Sequence, residues 1–230
     1  MEVVNGLPIG DRVDASPAPL PQRIQIDGRY VRLEPIDPAV HGDALWDGVN
    51  GNEHLWTYLF AGPFTDRASL DAYLQKIAVG SEQVFYAIVD RESAKAVGIA
   101  SLMRMDPANR VIEVGGIMYT PALQHTRGAT EAMYLMARYV FEGLNYRRYE
   151  WKCNDLNAPS RSAALRLGFQ YEGIFRQHMI AKGRNRDTAW FSMLDSEWPA
   201  CKAAFESWLD PANFDSSGKQ RASLAALRQS

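Results

Sequence analysis

The amino-acid sequence predicts an α/β protein of the α+β kind, and three observations carry the prediction. Strand-like alternation and helix-like spacing interleave along the chain instead of segregating into halves. Two pairs of strand-like runs are joined by short polar turns, residues 84–89 with 96–105 and residues 174–180 with 188–194, and each pair makes a hairpin. Between the hairpins, a strand-like run over 112–120 passes through a short polar loop into a helix, followed by another strand and another helix.

Taken in order, residues 1–22 read as an N-terminal extension, because Pro8, Pro17, Pro19 and Pro21 oppose a helix or strand core there. Residues 30–36 alternate as a first strand. Asp37 caps a helix with Pro38 at its first position, which runs to Val49 and buries Val40, Leu45, Trp46 and Val49. Thr65 supplies a capping hydroxyl for a second helix carrying Leu70, Tyr73, Leu74 and Ile77 at helical spacing. After the first hairpin, a turn at Asp106-Pro107-Ala108-Asn109 leads into the strand over 111–119. The helix after Thr130 buries Met133, Met136, Ala137, Val140 and Leu144, and Gly143 and Asn145 mark its end. Tyr149, Trp151 and Cys153 alternate with Glu150 and Lys152 in a further strand. Ser160 starts a short helix closed by Gly168. The last hairpin turns around Lys182-Gly183-Arg184-Asn185, and a C-terminal helix runs from Ser196-Glu197-Trp198-Pro199 through Trp208. The division expected is an extension over 1–22, a folded domain over 23–198, and a C-terminal helix and tail over 199–230.

Composition bounds the function. At 230 residues the chain can bury a sizeable core without disulfide or metal staples. A net charge of −2 gives no reason to expect nucleic-acid or anionic-membrane binding. Two cysteines, Cys153 and Cys201, read as reduced thiols. No apolar run reaches spanning length and no leader pattern opens the chain, so a cytoplasmic protein is expected.

Three sequence features carry chemistry. The loop Gln124-His125-Thr126-Arg127-Gly128-Ala129-Thr130-Glu131-Ala132 runs into a helix, whose first amides and dipole favour an anion. The plain alternative is a strand-to-helix connection with a serviceable cap. Glu113 is a carboxylate within an otherwise apolar strand, a placement that demands water or a partner; it is either a tuned base or a surface strand residue. Gly115-Gly116 in that strand marks a bulge or a close backbone approach. His125 and His178 are rival bases. Trp46, Trp56, Tyr58 and Phe60 divide between core and pocket. The run from Lys182 to Asp187 is a solvated turn unless Arg186 or Asp187 holds substrate.

Together with Asn157-Ala158-Pro159-Ser160, Leu167-Gly168-Phe169 and Arg186-Asp187-Thr188, these features resemble the GCN5-related N-acetyltransferase (GNAT) superfamily. The resemblance spans residues 24–198, is strongest over 112–195, and leans to the branch of ribosomal-protein N-terminal acetyltransferases. It implies a mixed, mostly antiparallel central sheet flanked by helices. It also implies direct acetyl transfer from acetyl-CoA to a primary amine in a ternary complex, with no metal. By that resemblance Gln124, Thr126, Arg127, Gly128, Ala129 and Thr130 form the pyrophosphate loop, with Arg127 where the family places glycine. Asn157 contacts the pantetheine arm, and backbone N–H groups of Ile117, Met118 and Tyr119 meet the arm or the thioester carbonyl. Glu113 becomes the base. Ser160 becomes the acid that protonates the thiolate, since Ala164 occupies the position of the tyrosine many members use. The acceptor would be a protein N-terminus or a small-molecule amine, and the chain a monomer or homodimer. The rival reading is a non-catalytic acyl-CoA-binding or partner-binding module on the same fold.

Overall fold

A computed structural model describes residues 2–229. The chain begins with an exposed hairpin, β1 (Glu2–Val4) and β2 (Leu7–Ile9). Its turn is Asn5-Gly6, both at positive φ, the pairing that two-residue hairpin loops favour. The proline argument therefore holds for the stretch after Ile9 but missed this Asn-Gly signal.

The main sheet has eight strands: β3 (Ile26–Asp27), β4 (Val31–Pro35), β5 (Gln83–Asp90), β6 (Ala96–Asp106), β7 (Val111–Tyr119), β8 (Arg148–Asn154), β9 (Gln170–Ala181) and β10 (Arg184–Leu194). Their order is β3-β4-β5-β6-β7-β8-β10-β9. Every neighbouring pair is antiparallel except β7 with β8, which is parallel. The sheet is mixed and mostly antiparallel, as the resemblance implied.

Among the described residues six α-helices accompany it: α1 (Pro38–Val49), α2 (Arg67–Val79), α3 (Arg127–Arg138), α4 (Ala158–Leu167), α5 (Trp198–Leu209) and α6 (Leu224–Gln229). One face carries α3, α4 and α5 over a core that includes Val114, Met136, Trp151, Phe191 and Phe205. The other carries α1 and α2 over Leu45, Trp56, Leu70, Leu74, Phe85 and Met118. The C-terminal helix α5 belongs to the first core through Trp198, Cys201, Phe205 and Trp208. No helix among the described residues is long and apolar enough to cross a membrane.

Four local expectations are corrected. Asp66, not Thr65, caps α2: its carboxylate accepts from the Ser69 amide, and the Ser69 side chain answers the Asp66 amide, a reciprocal capping box. Helix α3 starts at Arg127, because the Thr126 hydroxyl accepts from the Ala129 amide and so sets the first turn before Thr130. Ser160 does not start α4. Asn157 does, accepting from the Ser160 amide at 3.2 Å, which places Ser160 inside the first turn. Val40 on α1 is exposed, since helical phase turns it away from Leu45 and Val49.

Candidate active site

The site begins where one strand pair stops. β7 and β8 pair only from Val111 with Arg148 to Val114 with Trp151. Beyond that point the two strands lose their ladder, so the β8-facing backbone of residues 115–119 has no partner strand. The cause lies on the opposite edge of β7. Gly115 pairs with Ser101 and Met118 with Ile99, so β7 carries one more residue than β6 over this interval. Gly116 absorbs the bulge at φ +59, and a Cβ there would lie 2.9 Å from Phe85 Cε1. The Ser101 hydroxyl donates to the Gly115 carbonyl at 2.9 Å. Gln124 Nε2 donates to the Tyr119 carbonyl at 3.0 Å and closes the far end. The bulge read from Gly115-Gly116 is present.

A cavity of about 780 Å³ opens at this wedge. Its lining includes Glu113, the strand from Val114 to Tyr119, Gln124, Asn157 and Ser160, together with Tyr58 and Phe60. Trp56 is buried in the core and Trp46 packs against it, so the aromatic segment divides between core and cavity. Tyr58 donates to the Leu156 carbonyl across the cleft at 3.2 Å, and Lys182 Nζ donates to the Trp56 carbonyl at 2.7 Å. These two bonds tie the segment after α1 to the far side of the sheet.

At one end stands the α3 N-terminus. The first-turn amides of a helix lack partners within it, and Thr126 takes only that of Ala129. Gly128 is buried where a Cβ would meet Val31 Cγ1 at 2.7 Å, so the glycine lets α3 sit close to β4. Arg127 turns away from the cavity: its guanidinium stacks over Phe214 at 3.8 Å. A direct side-chain contact to a phosphate is not what this rotamer offers. The Thr130 hydroxyl is buried and accepts from Arg166 at 3.0 Å, and the Ala129 carbonyl accepts from Tyr119 at 3.1 Å. Thr126 to Thr130 adjoin the cavity at Gln124 and do not line it.

Midway, Ser160 Oγ accepts the Trp151 indole N–H at 3.1 Å. With a lone pair committed to the indole, the serine proton remains available for another acceptor. Cys153 also lines the cavity, and burial pushes its thiol up against the partial relief of Ser160.

On the α1–α2 face, Glu113 is buried and lies opposite Glu150 in the β7–β8 register. Lys152 Nζ joins them, 3.1 Å from Glu113 Oε2 and 2.7 Å from Glu150 Oε2. Arg104 Nε lies 3.1 Å from the same Glu113 oxygen. Arg104 reaches it because β6 has its own extra residue here and Arg104 sits at φ +47. Burial pushes the Glu113 carboxyl up, and Lys152 and Arg104 oppose that rise without cancelling it. His178 lines the cavity with its imidazole pushed down, by burial first and then by Arg104, Lys152 and Arg186. His125 is exposed and does not line the cavity.

Lys152, Arg104 and Trp151 were missed as site residues. The strand alternation put Lys152 on the face opposite Trp151, which is correct, but no residue in sequence says that this face is also covered. Arg104 needed the bulge.

Comparisons with known proteins place the site in a wider frame. The family model described as an acetyltransferase (GNAT) domain matches residues 31–170. A crystal structure of a GCN5-related N-acetyltransferase from Brucella melitensis is 50% identical at a TM-score of 0.92, covering 94% of this chain and 99% of that one. An uncharacterized N-acetyltransferase, p20, of Bacillus licheniformis is 31% identical over 146 residues, which are 61% of this chain and 80% of p20. The microcin C7 self-immunity acetyltransferase MccE, solved in complex with acetyl-CoA and AMP, shares the fold at a TM-score of 0.64 and 19% identity, over 73% of this chain and 93% of that one.

Proposed function

This chain belongs to the GNAT acetyltransferase family, and from that premise we propose how its cleft transfers an acetyl group to an amine. The donor is acetyl-CoA and the acceptor a primary amine, of a protein N-terminus or a small molecule, both bound at once. One observation carries the reading: the parting of β7 from β8 leaves a wedge with Glu113 on one side and Ser160 on the other, both lining a single cavity.

The residues present fit the donor. The unpaired backbone of Ile117, Met118 and Tyr119 offers N–H groups to the pantetheine arm or the carbonyl, and Asn157 lines the same cavity. The first-turn amides of α3, at Arg127 and Gly128, suit a pyrophosphate, with Gln124, Thr126, Ala129 and Thr130 shaping that end. Bound there, acetyl-CoA supplies the activated acetyl carbonyl. Glu113 takes the proton of the attacking amine through a water, because an amine of ordinary pKa is protonated near neutrality. A β7 amide near Met118 stabilises the developing oxyanion. Ser160, held by Trp151, gives its proton to the departing thiolate. The transferase unit is residues 23–198, and 199–230 pack onto it through Cys201, Phe205 and Trp208 in the core and through the Arg127–Phe214 stack. Two buried free thiols are in keeping with a cytoplasmic protein.

The test is CoA release with acetyl-CoA and a panel of amines, run on wild type and Glu113→Gln. The variant is expected to lower the rate and lose the acidic limb of the pH–rate profile while acetyl-CoA affinity stays close to wild type. An unaltered profile would remove Glu113 from the mechanism, and tight acetyl-CoA binding without turnover on any amine would overturn transfer itself.

A further inference from the structure

Among the described residues no carboxylate forms an ion pair with the buried cation of Arg186. It lies on β10 just beyond the last β8 pairing, Thr188 with Asn154, so it faces the same wedge. It is 8% exposed, lines the cavity, and its guanidinium stacks on Phe60 at 4.6 Å. No carboxylate among the described residues pairs with it, and its buried Nε has no hydrogen-bond partner there. Leaving a buried charge-bearing donor unanswered is costly, and a protein retains such a group where something else answers it. The turn expected to be solvated in fact ends at Lys182-Gly183, so Arg186 lies inside.

Its surroundings sharpen the point. The cavity is lined by Lys76, Arg104, Lys152 and Arg186, against the single carboxylate of Glu113. Lys152 and Arg104 are both held by Glu113, and of the two remaining cations Lys76 is exposed to water, which leaves Arg186 as the buried cation with spare capacity. Its stacking partner Phe60 belongs to the segment over the α1–α2 face, on the same side as Glu113 and away from the α3 N-terminus. The donor's phosphates at α3 therefore do not account for it.

We propose that Arg186 receives an anionic group of the acceptor, a carboxylate or a phosphate carried by the same molecule as the amine. This rests on the acetyl-transfer reading above and names its substrate class. A planar guanidinium suits either oxyanion through paired hydrogen bonds, and Phe60 fixes its plane. Such an acceptor brings its amine toward Glu113 while its anion completes the cation cluster. A polycationic amine meets repulsion instead.

The experiment uses matched acceptors that differ in the anion: β-alanine against β-alanine amide, phosphoethanolamine against ethanolamine, and tripeptides beginning Ser-Glu against Ser-Lys. CoA release is measured with wild type, Arg186→Met and Arg186→Lys. In at least one pair the anionic member should have a kcat/KM about tenfold or more above its counterpart. That ratio should collapse in R186M and survive in part in R186K. A ratio near one in every pair, or an equal ratio in R186M, overturns the proposal. Calorimetry with CoA and the products N-acetyl-β-alanine and N-acetylphosphoethanolamine reads the anion site without turnover. Binding by wild type that R186M loses, with no turnover on any amine, leaves the anion site standing and sinks transfer. Turnover on neutral amines with no binding of either product sinks the anion site alone. If R186M melts early, the R186K ratio and its product binding decide.

Discussion

Lys152 stands between two carboxylates that the sheet register sets opposite each other, 3.1 Å from Glu113 and 2.7 Å from Glu150. It holds Glu113 near the charged state that a base requires, against a burial that favours the neutral acid. The sign of the pH effect follows. Glu113 acts only when ionised, and its folded-state pKa lies above the ordinary 4.5, so the rate rises as pH climbs through that raised value. The native chain also holds this proton more tightly than the unfolded chain, so Glu113 withdraws stability as pH rises through the same window. Lys152→Met should move the acidic limb of kcat/KM to higher pH and cost about 3 kcal/mol or less of stability, because Glu113 then keeps only Arg104 and Glu150 only Arg148. Lys152→Arg should keep the limb near its place. A limb that ignores the Lys152 substitutions would separate Lys152 from the Glu113 titration.

Ser160 depends on Trp151 in a different way. The indole N–H fixes the hydroxyl at 3.1 Å and leaves its proton directed elsewhere. Ser160→Ala should lower kcat by roughly tenfold or more, in the range of a single general acid, with little change in the KM for acetyl-CoA. Trp151→Phe keeps the ring and removes the N–H, so it should give a smaller fall of the same kind. Thiol esters with better leaving groups should restore part of the S160A rate. Equal loss for good and poor leaving thiols would argue that Ser160 only shapes the cleft.

Cys153 tests whether transfer is direct. Its thiol lines the cavity, but burial raises it above the range of reactive thiolates. Cys153→Ala should keep turnover within about threefold of wild type, the scale of a packing change rather than of a lost nucleophile. Isolation of an acetylated Cys153, or loss of activity in C153A, would establish a covalent route instead.

The sequence carried the frame of this site better than its interior. Gly115-Gly116 announced the bulge because glycine alone takes φ +59 against Phe85 without strain. Asn157-Ala158-Pro159-Ser160 announced a helix start, but a side chain three residues away could serve as cap as easily as Ser160 itself, and Asn157 took that place. Lys152 and Arg104 were hidden, and Arg186 was offered only behind a solvated turn, for one shared reason. Each is a charged residue in or beside a strand, a pattern that normally means a solvated face. Only the assembled sheet, with residues 55–64 laid over it, reveals that the face is covered. The direction of Arg127 was equally out of reach, since its partner Phe214 is 87 positions away.

The last prediction concerns how α3 is set against the sheet. Glu131 looked like part of the loop motif, yet its carboxylate points inward. It accepts from the amides of Arg29 at 2.8 Å, Tyr30 at 2.6 Å and Val31 at 2.8 Å. These are the turn and first residue of the β3–β4 connection, and Gly28 completes it where a Cβ would meet Glu131 Oε2 at 2.6 Å. The carboxylate thus serves as the partner that these three amides would otherwise lack. Glu131→Ala should destabilise the protein by about 3 kcal/mol or more, because buried donors lose a charged acceptor and regain no water. For a chain of this size that is roughly a 6–12 °C fall in Tm. Glu131→Gln keeps one acceptor oxygen and should fall between. Because the same residue anchors the first turns of α3, E131Q should also weaken acetyl-CoA binding, measured by calorimetry below the melting range. A melting temperature for E131A within about a degree of wild type, far below the shift expected for lost buried bonds, would show that β4 and α3 are held together by packing alone.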